Sequence, residues 1–172
     1  MARPWAVEGL RGRDRHACAG CAVVMTRLRE ARSYEDRARH PDNVTGLHDM
    51  RISVKRLRYA MELFVPCFGK RFRRCLKEIQ GLQELLGSIH DIDVLITYLR
   101  GKLGVASTRQ TPGVNGLLTR TRERRAAVHR QLCDELVRLD EAGLWASVPK
   151  AMRCALKDRP PSSQRRHCPP KA

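Results

Sequence analysis

The chain has 172 residues, of which 42% are apolar and only 5% aromatic. That is enough for one helical core built on small aliphatic seams. Its 34 Lys and Arg against 18 Asp and Glu leave a formal charge of +16, which favours polyanions or anionic surfaces as partners. The charge is not confined to the ends, because residues 14–157 hold 27 Lys and Arg against 16 acids, 27 − 16 = +11. No apolar run approaches the roughly 18 residues that span a bilayer. Ala17–Met25 is apolar, but Gly20 breaks it and no cleavage site follows, so a cytoplasmic location is expected. Seven cysteines, an odd number, fall mostly at core-like positions and read as reduced, small apolar residues.

Residues 1–13 contain Pro4, Gly9 and Gly12 and read as a flexible lead-in. The spacing of Cys21, Val24, Leu28 and Ala31 predicts a first helix over 15–38. His40-Pro41-Asp42-Asn43 then punctuates the chain. A second helix is predicted from Thr45 to Val65, stopping before Pro66, and a third from Gly69 to Leu86. Gly87 reads as a break, with Ser88 as the N-cap of a fourth helix that ends near Lys102. Residues 104–116, with Pro112 and three glycines, read as the longest connection. A fifth helix is predicted over 117–141 and a short sixth over 144–157. The tail, 158–172, holds four of the nine prolines and reads as a disordered basic segment. Without strand-length alternation the class is all-α. The expected architecture is a compact bundle of about six helices, one domain over 14–157.

The second helix carries the strongest functional signal. Leu47, Met50, Val54, Leu57, Met61 and Phe64 step by 3, 4, 3, 4 and 3 residues and form one apolar stripe. His48, Arg51, Lys55, Arg58 and Glu62 keep the same rhythm one residue later, on an arc of about 80° beside it. Like charges at this spacing repel by a few tenths of a kcal/mol per pair. A solvated face normally intersperses acids, and here only Glu62 does so. On the third helix Arg73, Lys77, Gln80 and Glu84 flank a core arc of Phe72, Cys75, Leu76, Ile79, Leu82 and Leu86. Segment 47–77 holds nine Lys and Arg against two acids. The short link 66–69 predicts an antiparallel pair whose basic flanks converge on one groove. Forked guanidinium donors and mobile ammonium groups suit a chain of phosphates.

Leu47-His48-Asp49-Met50-Arg51-Ile52-Ser53-Val54-Lys55-Arg56-Leu57-Arg58-Tyr59, then Glu62, resembles the signature of the CHAD family, the conserved-histidine α-helical domain. So does Leu82-Gln83-Glu84-Leu85-Leu86-Gly87-Ser88-Ile89-His90-Asp91, followed by Asp93-Val94. The likeness is close over 45–100 and loose on either side. It implies an all-helical bundle that binds inorganic polyphosphate in a basic channel without catalysis, and with neither cofactor nor metal. Carried over by position, the binding set is His48, Arg51, Lys55, Arg56, Arg58 and His90, to which Arg73 and Lys77 are added. Family members commonly have two related halves, whereas this chain shows the His-and-Arg helix once. The resemblance therefore implies a short form, or one half that a second copy completes. Polyphosphate granules are the implied cellular partner.

Other constellations carry less. His48, His90-Asp91 and Asp134 or Asp140 follow the order of a helical metal-dependent phosphohydrolase, but three permanent cations beside His48 would repel a divalent ion. Asp91 and Asp93 read as caps of the fourth helix. Cys18-Ala19-Gly20-Cys21 lacks a second pair at zinc spacing and reads as core. Arg122, Arg125 and His129 are the members of the fifth helix that could form a second anion wall. RNA is the rival polyanion, attracted by the same charge. Base stacking needs exposed rings, and of eight aromatics Phe64, Phe68 and Phe72 read as core.

Overall fold

A computed structural model describes residues 3–10, 15–105 and 107–157. Residues 3–10 carry no regular element, and the expected tail lies wholly outside the described residues. Five helices follow in order: α1 (His16–Arg32), α2 (Glu35–Ala38), α3 (Val44–Leu103), α4 (Thr111–Glu141) and α5 (Leu144–Lys157). No strand occurs among the described residues, so the class is all-α as expected.

The long helix α3 is two arms. Gly69 has φ 72° and ψ −164°, a backbone that a side chain would strain. The chain reverses there, so the arms 44–68 and 70–103 run antiparallel. Two contacts fix this arrangement. Gln80 Nε2 donates to Glu62 Oε1 at 3.2 Å, and the His48 and His90 rings lie 5.8 Å apart. Counting the arms separately gives six helical segments. Asn43 caps the first arm through its side-chain oxygen, which accepts from the Gly46 amide at 2.8 Å.

Four boundaries differ from expectation. The first arm passes through Pro66, which removes the amide that would serve the Glu62 carbonyl but sits only three residues before the reversal. The second arm passes through Gly87 without a break, because Leu82, Leu86, Ile89 and Ile92 bury one continuous seam. That burial outweighs the roughly 1 kcal/mol cost of a helical glycine. Helix α4 begins at Thr111, since Pro112 lies in its first turn, where a missing N–H is harmless. The predicted first helix also ends early, at Arg32, with a turn before α2.

The stripe Leu47–Phe64 is buried, as are Phe68 just beyond it and Phe72, Ile79 and Leu82 on the second arm. Val24, Leu28 and Ala31 of α1, Leu132, Leu136 and Leu139 of α4, and Trp145, Val148 and Met152 of α5 close the same core. Each such side chain contributes roughly 1.5–3 kcal/mol by leaving water. Gly20 brings α1 unusually close to the first arm, and a Cβ there would lie 2.7 Å from the Phe64 ring. A smaller cluster, Ile92, Ile96, Leu99 and Leu118, holds the far end of the second arm to α4.

Of the five cysteines described, Cys67 and Cys75 are buried, Cys21 and Cys133 half-buried and Cys18 exposed. Burial pushes the Cys21, Cys75 and Cys133 thiols up, away from the reactive thiolate. The expectation that the whole Cys18–Cys21 pair is core therefore fails at Cys18, which lies on the outer side of α1.

Candidate functional site

The first arm of α3 separates its cations by flank. His48, Arg51, Lys55 and Arg58 project from the arc beside the core seam, each half-buried. At 1.5 Å per residue the row is about 15 Å long. Among the described residues Arg51 has no acidic partner. Lys55 Nζ and the Arg58 guanidinium lie 5.7 and 4.6 Å from the centre of the Tyr59 ring, which holds both by cation–π attraction. Glu62 ends the row. It takes Arg58 in an ion pair at 3.4 Å and accepts the bond from Gln80. Arg58 Nε is buried without a hydrogen-bond partner among the described residues, so a donor remains unused in the row.

His90 joins this row from the second arm, facing His48. The other expected members stand apart. Arg56 turns to the opposite flank, where its guanidinium donates to Glu30 Oε1 at 2.7 Å. Glu30 is fully buried and also pairs with Arg27, so Arg56 belongs to a structural ion cluster between α1 and the first arm. Arg73 and Lys77 are exposed on the second arm, and no interaction among the described residues joins them to the row.

The second anion wall on α4 is not assembled. Arg125 pairs with Asp93 and donates to the Pro41 carbonyl at 2.9 Å. His129 is buried, and its Nε2 must carry the proton because it donates to the Ala38 carbonyl at 3.0 Å. Its Nδ1 faces the Cys133 thiol at 3.8 Å. Both residues tie α4 to the loop and short helix before α3. Asp93 is correspondingly a partner of α4 rather than a helix cap, since no helix starts at Ser88. Among the described residues no group of three or more His, Cys, Asp or Glu is placed to hold a metal ion. No described helix is long and apolar enough to cross a membrane.

One feature of this face escapes a reading based on charge. At the open end of the hairpin, next to the paired histidines, lies a cavity of about 670 Å³. Its rim includes Val44, Val94 and Tyr98, each more than half exposed. The signal was the helical period itself: Val44 lies four residues before His48, and Val94 and Tyr98 lie four and eight after His90.

Comparison with curated proteins and with solved structures yields no match. The family model of the CHAD domain matches residues 10–100, just over half of the chain. That span contains α1, α2, the Gly69 reversal and both arms almost to their end, including His48, His90 and the cationic row between them. With its sequence motifs and its helical hairpin covered by one match, this chain belongs to the CHAD domain family.

Proposed function

We propose that this protein binds linear inorganic polyphosphate along the first arm of α3 and catalyses no reaction on it. The observation that carries this reading is the row His48, Arg51, Lys55, Arg58. Four cationic or protonatable groups stand half-buried on one arc, with no acid between them until Glu62. Outside the row the half-buried arginines each meet an acid: Arg27 and Arg56 at Glu30, Arg125 at Asp93 and Arg39 at Glu35. A row in which only Arg58 meets an acid costs repulsion that a bound polyanion relieves. Guanidinium and ammonium donors set three to four residues apart can engage successive phosphates of a flexible chain by charge-assisted hydrogen bonds. His90 extends the row across the hairpin, and the exposed Arg73 and Lys77 add long-range attraction. A second copy completing a closed channel, and polyphosphate granules in the cytoplasm, are the partners and place this function implies.

RNA is the alternative, and two exposed rings, Tyr59 and Tyr98, lend it some support. With His48 opposite His90, however, these rings lie eleven residues to one side and eight to the other, about 28 Å apart along the hairpin. They cannot stack neighbouring bases, so polyphosphate is the better fit. Competition for labelled protein at physiological salt tests the choice. Polyphosphate is expected to displace RNA at matched phosphate concentration, with affinity falling steeply as salt rises. Equal affinity for the two would reject selective recognition.

A further inference from the structure

The row ends on something that a bare phosphate chain cannot use. Leu86 and Ile89 floor the cavity at the open end of the hairpin, and Val44, Val94 and Tyr98 edge it. In a chain of charge +16, an apolar hollow at the end of a cationic row is an unusual neighbour. Inorganic polyphosphate has no carbon to bury there. Two carboxylates, Asp49 and Asp93, also border the hollow, and Asp93 is already held by Arg125. The cavity is therefore not a continuation of the row, although His48 and His90 line both. At about 670 Å³ its size is that of a small-molecule site.

We propose that this cavity takes the base of a nucleoside polyphosphate whose phosphates lie along the edges of His48 and His90 and onto Arg51. The proposal rests on the reading of the row as a phosphate site and adds to it a preference at one end. Lys102 Nζ lies 5.2 Å over one face of the exposed Tyr98 ring, and the opposite face offers a stacking surface to any base. The aliphatic floor receives the edge of the ring system. The row then runs away from the cavity in the direction a phosphate chain would leave it.

The test compares ATP, inorganic tripolyphosphate and long-chain polyphosphate by calorimetry on the full chain, without magnesium. ATP is expected to bind at least about fivefold more tightly than tripolyphosphate, although it carries no more charge. Tyr98→Ala and Val94→Ser should each remove most of that preference and leave tripolyphosphate unchanged. Both side chains are more than half exposed, and unchanged helical circular dichroism will verify the fold. Tripolyphosphate binding as tightly as ATP, or Tyr98→Ala weakening both alike, would overturn the proposal. So would sedimentation of the free chain as a dimer that Val94→Ser dissociates, because a second copy would then own the cavity. The long-chain arm keeps the two readings apart. If long polyphosphate fails to bind while ATP binds through Tyr98, the proposed function falls and the base site stands. If long polyphosphate binds and ATP gains nothing over tripolyphosphate, only the base site falls.

Discussion

The two flanks of the first arm of α3 receive the same kind of residue and treat it in opposite ways. On one flank Arg56 meets Glu30, which is wholly buried and also holds Arg27. On the other, His48, Arg51 and Lys55 stand in a row with no acidic partner among the described residues. Arg58, the last cation, shares Glu62 with Gln80. The contrast separates scaffold from site without reference to any relative. A cation paired to a buried carboxylate is committed to the fold. Cations aligned and left uncompensated are available to a ligand, and their mutual repulsion is relieved when a polyanion arrives.

The largest effect should come from the scaffold flank. Glu30→Ala leaves Arg27 and Arg56 facing each other at the α1 interface. Removing one partner of a fully buried pair costs about 3–5 kcal/mol. Both guanidiniums retain some solvent, so the loss is expected near 2–3 kcal/mol by denaturant unfolding. A loss below about 0.5 kcal/mol would show that the cluster is incidental. Next, Gly20→Ala pushes a methyl against Phe64 on the same interface and should cost about 1–2 kcal/mol through overpacking. Relief by the compensating change Phe64→Leu would locate the cost at that contact.

Arg56→Gln then sharpens the comparison in the binding assay. It removes one charge from the same arm as the row, yet polyphosphate affinity should fall less than about threefold, because this guanidinium is spent on Glu30. A loss matching that of Arg51→Gln would place Arg56 back in the site. The smallest effect belongs to the exposed cluster of Arg138 with Glu78 and Glu135. The Arg138 guanidinium holds the Glu135 carboxyl below its usual range. A carboxyl depressed in the folded state adds stability above its unfolded value, and this is lost as the pH falls through the folded one. Arg138→Gln should therefore slightly flatten acid unfolding at and below the usual carboxylate range, and leave neutral-pH binding unchanged. An equal acid limb in both proteins would show that the pair contributes nothing.

How far this contrast was readable in the sequence differs by residue. The apolar stripe and the row beside it follow directly from a 3, 4, 3, 4 rhythm, and the short link before Lys70 was enough to indicate the antiparallel arms. The pairing of Arg56 with Glu30 is not legible in the family motif. By rotation alone Arg56 lies about 120° from the centre of the row, and its partner Glu30 is 26 residues upstream, where no local pattern points to it. The partners of Arg125 and His129 were hidden for the same reason, since Asp93, Pro41 and Ala38 reach them only through the tertiary fold. Gly87 and Pro112 look like breaks when taken singly. A continuous buried seam overrides the first, and a first-turn position accommodates the second. The cavity beside the histidines has an apolar rim that charge does not mark, although Val44, Val94 and Tyr98 keep the period of the helix.

The central claim is that the row, and not bulk charge, is the polyphosphate site. It is tested most directly by two triple variants that remove the same charge. Arg51, Lys55 and Arg58 changed to Gln strip the row, whereas Arg120, Arg124 and Arg130 changed to Gln strip three exposed arginines of α4. Long-range attraction falls equally in both. Only the first loses donors held in fixed relation on a half-buried arc, each worth on the order of 1 kcal/mol or more. At physiological salt the row triple should weaken polyphosphate binding at least about tenfold, with helical circular dichroism unchanged, while the α4 triple changes it little. Equal losses in the two proteins would contradict the account and reduce the chain to a basic surface.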